Sequence, residues 1–194
     1  MGRLTACLPA DFNLDRMVDY SVWPYSGMAG IGSSARWRAG NDGIRESEGT
    51  IIINGGNIRA KGQNSASAIG GPRDSEIEFR YTDRGEVYNR RQGGSITING
   101  GNVTAHGGIN RYENQPLYAI PGNGIGPLEG GSITINGGTV KATAEGKGFG
   151  IGGSRFEIIG TATVTINGGT IEATANHNNA AIGDKGKGES GVTI

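Results

Sequence analysis

Apolar residues in this chain sit two apart in brief runs, and each run ends on glycine. The segments Ile51-Ile52-Ile53-Asn54-Gly55-Gly56, Ile96-Thr97-Ile98-Asn99-Gly100-Gly101, Ile133-Thr134-Ile135-Asn136-Gly137-Gly138 and Val164-Thr165-Ile166-Asn167-Gly168-Gly169 are four copies of one phrase. A fifth begins at Val192-Thr193-Ile194. In each copy the outer two apolar residues share one face of a strand and the middle residue takes the other. A second phrase follows each Asn-Gly-Gly: Asn57-Ile58-Arg59-Ala60, Asn102-Val103-Thr104-Ala105, Thr139-Val140-Lys141-Ala142 and Thr170-Ile171-Glu172-Ala173. Its apolar pair again shares a face, and its variable middle position faces out. A third phrase is Ala68-Ile69-Gly70-Gly71, Gly124-Ile125-Gly126, Gly150-Ile151-Gly152-Gly153 and Ala181-Ile182-Gly183, with Gly30-Ile31-Gly32 closing a degenerate first copy.

The spacing ties the phrases into one unit. The last Ile of the first phrase precedes the Ile of the third by 16 residues in three copies (53 to 69, 135 to 151, 166 to 182) and by 27 in the other (98 to 125), which therefore carries an insertion. The minimal period of roughly 30 residues is that of stacked repeats. The chain is expected to be all-β: a parallel β-helix (β-solenoid) of about four to five coils, with three short strands per coil and inward Ile, Val and Ala. Coils would lie ~4.8 Å apart. Asn-Gly tolerates positive φ and can bend the chain at each Asn-Gly-Gly. The Ile-Gly phrase suits a cramped corner. An array of hairpins is the competing reading, because Asn-Gly is also a hairpin signal. The solenoid is preferred because identical phrases recur once per long unit, as like-on-like stacking requires. Residues 27–194 are read as the solenoid and 1–26 as a segment without a readable structure.

Composition agrees. Of 194 residues 38 are Gly, and 22 Ile and 7 Val stand against 5 Leu. β-Branched residues favour strands and frequent glycine disfavours helices. The 18 Lys+Arg balance the 18 Asp+Glu. Zero net charge removes the electrostatic case for nucleic acid or an anionic membrane surface. No run of about 20 apolar residues suggests membrane insertion. Cys7 is the only cysteine, which excludes an internal disulfide framework.

Stacking places recurring residues in ladders. Asn54, Asn99, Asn136 and Asn167 should form a structural amide ladder along the rod. The outward residues Thr50 and Ile52, Ser95 and Thr97, Ser132 and Thr134, and Thr163 and Thr165 form a hydroxyl-rich second array. Such a face can order water or ice, although Thr is also simply a good exposed strand residue. Function on a rigid scaffold tends to sit on loops. The first long insertion, Pro72 to Gly94, carries Arg80, Tyr81, Asp83, Arg84 and Tyr88. The second, about His106 to Asn123, carries Arg111, Tyr112 and Tyr118. Tyr stacking on sugar rings, with Arg and Asp hydrogen bonds, is glycan-binding chemistry, and these eight residues are the candidate ligand set.

Catalytic and metal signals are thin. No spacing selects a carboxylate pair for glycoside hydrolysis, and His106 and His177 lack a neighbouring nucleophile signature. Asp11, Asn13 and Asp15 have the spacing of a calcium loop, but Arg16 stands at the glycine and Val22 at the terminal acid. Leu4-Thr5-Ala6-Cys7 resembles a lipobox with only three residues before it. No catalytic residue, metal ligand or cofactor is assigned.

The full phrase, Ile-Thr-Ile-Asn-Gly-Gly-Thr-(Val/Ile)-x-Ala followed by (Ala/Gly)-Ile-Gly-Gly, resembles repeats of bacterial secreted and cell-surface proteins. It is similar to the carbohydrate-binding β-helix family, whose members bind plant cell-wall polysaccharide, some with calcium. The acids of that family beside the third phrase are replaced here by Ala66-Ser67-Ala68, Gly122-Asn123-Gly124 and Asn179-Ala180-Ala181. The resemblance implies a non-catalytic, extracellular or cell-surface module that binds polysaccharide or host glycan, of carbohydrate-binding or adhesin type. A structural stalk within a larger surface protein and a β-helix lyase or glycosidase are the alternatives. The last phrase stops within a strand, so the repeat is expected to be incomplete there, or to meet further repeats or another chain end to end.

Overall fold

The computed structural model describes residues 3–6, 29–32, 49–62, 66–71, 94–108, 122–127, 130–144, 148–153, 162–176, 180–183 and 192–194. They build a parallel β-helix. Strands β1 (Arg3–Ala6) and β2 (Ile31–Gly32) come first. Then β3 (Thr50–Ile53), β4 (Asn57–Lys61) and β5 (Ile69–Gly70) make one turn of the rod, and β6 (Ser95–Ile98), β7 (Asn102–His106) and β8 (Ile125–Gly126) the next. Two further turns are β9 (Ser132–Ile135), β10 (Thr139–Thr143) and β11 (Ile151–Gly152), and β12 (Thr163–Ile166), β13 (Thr170–Thr174) and β14 (Ile182–Gly183). β15 (Val192–Thr193) starts another.

Each kind of phrase makes its own five-stranded sheet. The first sheet runs β3-β6-β9-β12-β15, the second β1-β4-β7-β10-β13 and the third β2-β5-β8-β11-β14. Every pairing among these strands is parallel and joins successive coils, in the register that the phrases dictate. Ile51 pairs Ile96, Ile96 pairs Ile133 and Ile133 pairs Val164. Ala60, Ala105, Ala142 and Ala173 likewise form one column. A hairpin array would require antiparallel neighbours, so the parallel ladders decide for the solenoid.

The core is the inward half of this pattern. Ile96, Ile98, Val103, Ile125, Ile133, Ile135, Val140, Ile151 and Val164 are all at most 2% exposed. Burying each such side chain stabilises the fold by roughly 1.5–3 kcal/mol. The outward residues between them are exposed or half-buried, which gives alternation along each longer strand. Burial fades at the last coil, where Ile171, Ala173 and Ile182 are only partly covered.

One detail differs from the expectation. The second sheet extends into residues 1–26, because Arg3–Ala6 pairs β4 with Leu4 opposite Ile58 and Ala6 opposite Ala60. Leu4-x-Ala6 is thus a second phrase in which Leu replaces Ile or Val. Within each Asn-Gly-Gly the sharp bend lies at the second glycine. Gly56, Gly101, Gly138 and Gly169 have φ between 92° and 107°. A Cβ on Gly101 would lie 2.5 Å from the Gly56 carbonyl oxygen of the coil below. At Gly100 it would lie 3.7 Å from the nearest atom, the Asn54 carbonyl oxygen. The corner is stitched on both sides by backbone bonds: Asn99 N–H donates to Ile53 O at 2.7 Å, and Asn102 N–H to Gly56 O at 2.8 Å.

This asymmetry yields a paired prediction. Gly101→Ala combines left-handed strain with a backbone clash and should cost about 2–4 kcal/mol of unfolding free energy. Gly100→Ala should stay within about 0.5 kcal/mol of the parent. Denaturant titration of the two variants checks both.

A second prediction concerns chain length. Three residues, 63–65, join Gly62 to Ala66, whereas residues 108–121 join the equivalent Gly107 and Gly122. The longer excursion closes on itself, since Gly122 N–H donates to Gly108 O at 3.3 Å. Deleting residues 109–119 restores a three-residue bridge. The shortened chain should keep its β-sheet circular dichroism and lose no stability, gaining roughly 1 kcal/mol from loop closure.

Candidate functional site: the outer face of the second sheet

The longest regular strands are those of the second phrase, and their outward residues form three columns. One contains Asn57, Asn102, Thr139 and Thr170, the next Arg59, Thr104, Lys141 and Glu172, and the third Lys61, His106, Thr143 and Thr174. The inward Ile-Val-Ala columns fix this placement, because a one-residue slip would turn the polar set into the core. The face is therefore a flat grid of amide, hydroxyl, guanidinium and amine groups on a rigid backbone.

A shallow groove of ≈ 460 Å³ opens on this grid, lined by Asn57, Ile58, Arg59, Asn102 and Thr104. Its amides are held in place, for Asn102 Nδ2 donates to Asn57 Oδ1 at 3.0 Å. Further along the face Lys141 Nζ meets Glu172 Oε1 at 2.7 Å. The two side chains are 49% and 61% exposed, and an ion pair that open to water contributes little stability. It does neutralise its end of the grid. The charge that stays uncompensated among the described residues gathers on Arg59 and Lys61, beside His106. Such a surface offers donors and acceptors in rows and is suited to an extended polar ligand lying across the coils.

The asparagine corner borders this face. Asn99 Nδ2 donates to Asn54 Oδ1, Asn136 Nδ2 to Asn99 Oδ1 and Asn167 Nδ2 to Asn136 Oδ1, each at 2.7 Å. All three bonds run in the same direction. On the first sheet, Ser95 Oγ donates to Thr50 Oγ1 at 3.1 Å, and Thr97, Thr134, Thr165 and Thr193 stand in one column. Ile52, 59% exposed, interrupts that column at its start.

The eight loop residues proposed for ligand binding, Arg80, Tyr81, Asp83, Arg84, Tyr88, Arg111, Tyr112 and Tyr118, lie outside the described residues, as do Asp11, Asn13 and Asp15. The groove residues were not singled out from the sequence. Their signal was the polar, variable middle of the second phrase, which reads as ordinary strand exposure until stacking aligns it. Asn123 lies beside the third phrase, directly before Gly124-Ile125-Gly126. It is 7% exposed, and its Oδ1 accepts the Phe149 N–H at 2.9 Å. Among the described residues no three His, Cys, Asp or Glu side chains cluster as a metal site.

Comparison with known proteins agrees with the architecture. A family model described as a beta helix repeat matches residues 96–127, 133–155 and 164–187. These stretches are three successive coils of the rod, each entered at the first phrase. No curated protein and no solved structure matches the chain.

The ladder makes a graded prediction. Asn99 takes part in two amide bonds and Asn54 in one. Asn99→Ala should cost about 1–2 kcal/mol and Asn54→Ala about half of that, each bond being worth roughly 0.5–1.5 kcal/mol net. Equal losses in chemical denaturation would show that the ladder is not the source of the effect.

Proposed function

We propose that the protein is a non-catalytic, extracellular or cell-surface β-solenoid module of carbohydrate-binding or adhesin type, with polysaccharide or host glycan as its ligand. The observation that supports this best is the distribution of chain length around the rod. The corner between the first and second sheets is three residues in every coil: 54–56, 99–101, 136–138 and 167–169. The connections from the third sheet back to the first vary widely, from 127–131 to 71–94, and two connections from the second sheet to the third are lengthened, at 7–30 and 107–124. Scaffold and variable segments are thus separated, as in a binding module whose specificity resides on loops. The tyrosines and arginines of the two long insertions supply stacking and hydrogen bonding. The groove at Asn57, Arg59, Asn102 and Thr104 supplies a polar floor on which sugar hydroxyls can be matched.

A structural stalk is the second reading, favoured by the unbroken coil-on-coil register. Retention on a panel of insoluble polysaccharides, together with a glycan array, separates the two. The binding reading expects saturable retention on at least one glycan. It expects roughly tenfold weaker binding, about 1.4 kcal/mol, after deletion of residues 72–94 or in the Arg59→Ala/Asn102→Ala variant. No retention anywhere, or retention unaffected by both changes, would leave the stalk. Release of reducing sugar from any substrate in the panel would overturn the non-catalytic assignment.

A further inference from the structure

Every ladder asparagine is followed by glycine, and Asn-Gly is the pair most open to loss of the side-chain amide. The glycine nitrogen attacks the Asn Cγ, the Cγ–Nδ2 bond breaks and ammonia leaves with the proton released from that nitrogen. Water then opens the resulting succinimide to aspartate or isoaspartate. The attack puts negative charge on Oδ1, and the step is completed by departure of Nδ2. A donor on Oδ1 therefore helps, and an acceptor holding Nδ2 hinders.

The one-way ladder distributes these two influences unequally. Asn99 and Asn136 each have a donor on Oδ1, but each Nδ2 is tied to the asparagine below. Asn167 has its Nδ2 tied to Asn136, with no ladder donor to its own Oδ1 among the described residues. Among the ladder asparagines Asn54 alone combines the favourable halves; the fifth Asn-Gly pair, Asn123-Gly124, also has a donor on Oδ1 but is 7% exposed, and a Cβ on Gly124 would lie 2.6 Å from the Gly150 carbonyl oxygen. The Asn54 Oδ1 receives the Asn99 N–H at 2.7 Å, while its Nδ2 donates to no ladder partner among the described residues. The following glycine points the same way. Among the described residues a Cβ on Gly55 would meet nothing within 4 Å, whereas Gly100, Gly137 and Gly168 lie under 3.7, 3.4 and 3.3 Å contacts with the carbonyl of the coil below. The Gly55 backbone has room to swing toward Cγ.

We propose that Asn54 is an intrinsic deamidation site of the folded protein, assisted by the Asn99 amide, and that its conversion to aspartate leaves the ladder standing. The product carboxylate still accepts the Asn99 N–H, so the bond survives with an added negative charge at this corner. The same conversion at Asn99, Asn136 or Asn167 would set oxygen against oxygen and break the ladder at that coil.

The test is peptide mapping by mass spectrometry of the full chain held at mildly alkaline pH, folded and in denaturant. Unfolded, the five Asn-Gly pairs, Asn123-Gly124 included, should deamidate at similar rates. Folded, Asn54 should convert first, and the Asn54→Asp variant, which stands for the aspartate product, should keep the parent's unfolding midpoint. Asn99→Ala should slow Asn54 roughly two- to tenfold, the worth of one hydrogen bond, while Asn136→Ala leaves it unchanged. If Asn99→Ala fails to fold, Asn99→Leu, close in size but without donor or charge, should slow Asn54 likewise. Conversion of Asn54 no faster than at the other four, or faster conversion when the Asn99 donor is removed, would overturn the proposal.

Discussion

Everything in this rod depends on the short backbone repeat between coils. Parallel strands hydrogen-bonded across about 4.8 Å leave no room for adjustment, so a residue at one level meets its own counterpart above and below. Where the backbone turns most tightly the carbonyl of a neighbouring coil occupies the space that a side chain would need. Gly70 and Gly126 show the limit, since a Cβ on the first would lie 2.2 Å from the carbonyl oxygen of the second. Glycine is thus required by the pitch, and the high glycine content is a consequence of stacking rather than of low complexity.

The same constraint selects the other columns. Ile and Val fill the wide part of the interior, and Ala occupies the place where the second strand nears the corner. The Ala60-Ala105-Ala142-Ala173 column is as constant as any glycine in the molecule. Outside, the pitch brings like side chains together and favours groups that bond to themselves. Amides do so because each carries both a donor and an acceptor. The asparagine corner and the Asn57–Asn102 pair both exploit this. The Lys141–Glu172 contact is the charged equivalent, in which opposite signs replace identity.

This is why the fold was legible in the sequence and much of the surface was not. Three phrases repeated in order carry strand positions, facing and register at once, and all were readable from Ile-Thr-Ile, Val-x-Ala and Ile-Gly. Arg3–Ala6 escaped because a single copy, with Leu for Ile and no Asn-Gly-Gly before it, has nothing to be compared with. Which residue of Asn-Gly-Gly bends was not readable, because Asn-Gly and Gly-Gly both permit it, and only the carbonyl beneath decides between them. Arg59, Asn102 and Thr104 belong to different repeats, and no spacing rule joins them. Their proximity is a product of the pitch, visible once the coils are stacked.

The invariant three-residue corner has a consequence for how the rod meets its surroundings. With no loop on that edge, the two longer sheets share one smooth flank, and whatever lies along the corner meets the same asparagine once per coil. Weak contacts there repeat in register, so their combined strength grows with the number of coils rather than with the quality of any one site. Length, in such a molecule, is itself a means of setting avidity, and one more repeat changes it without altering any existing contact.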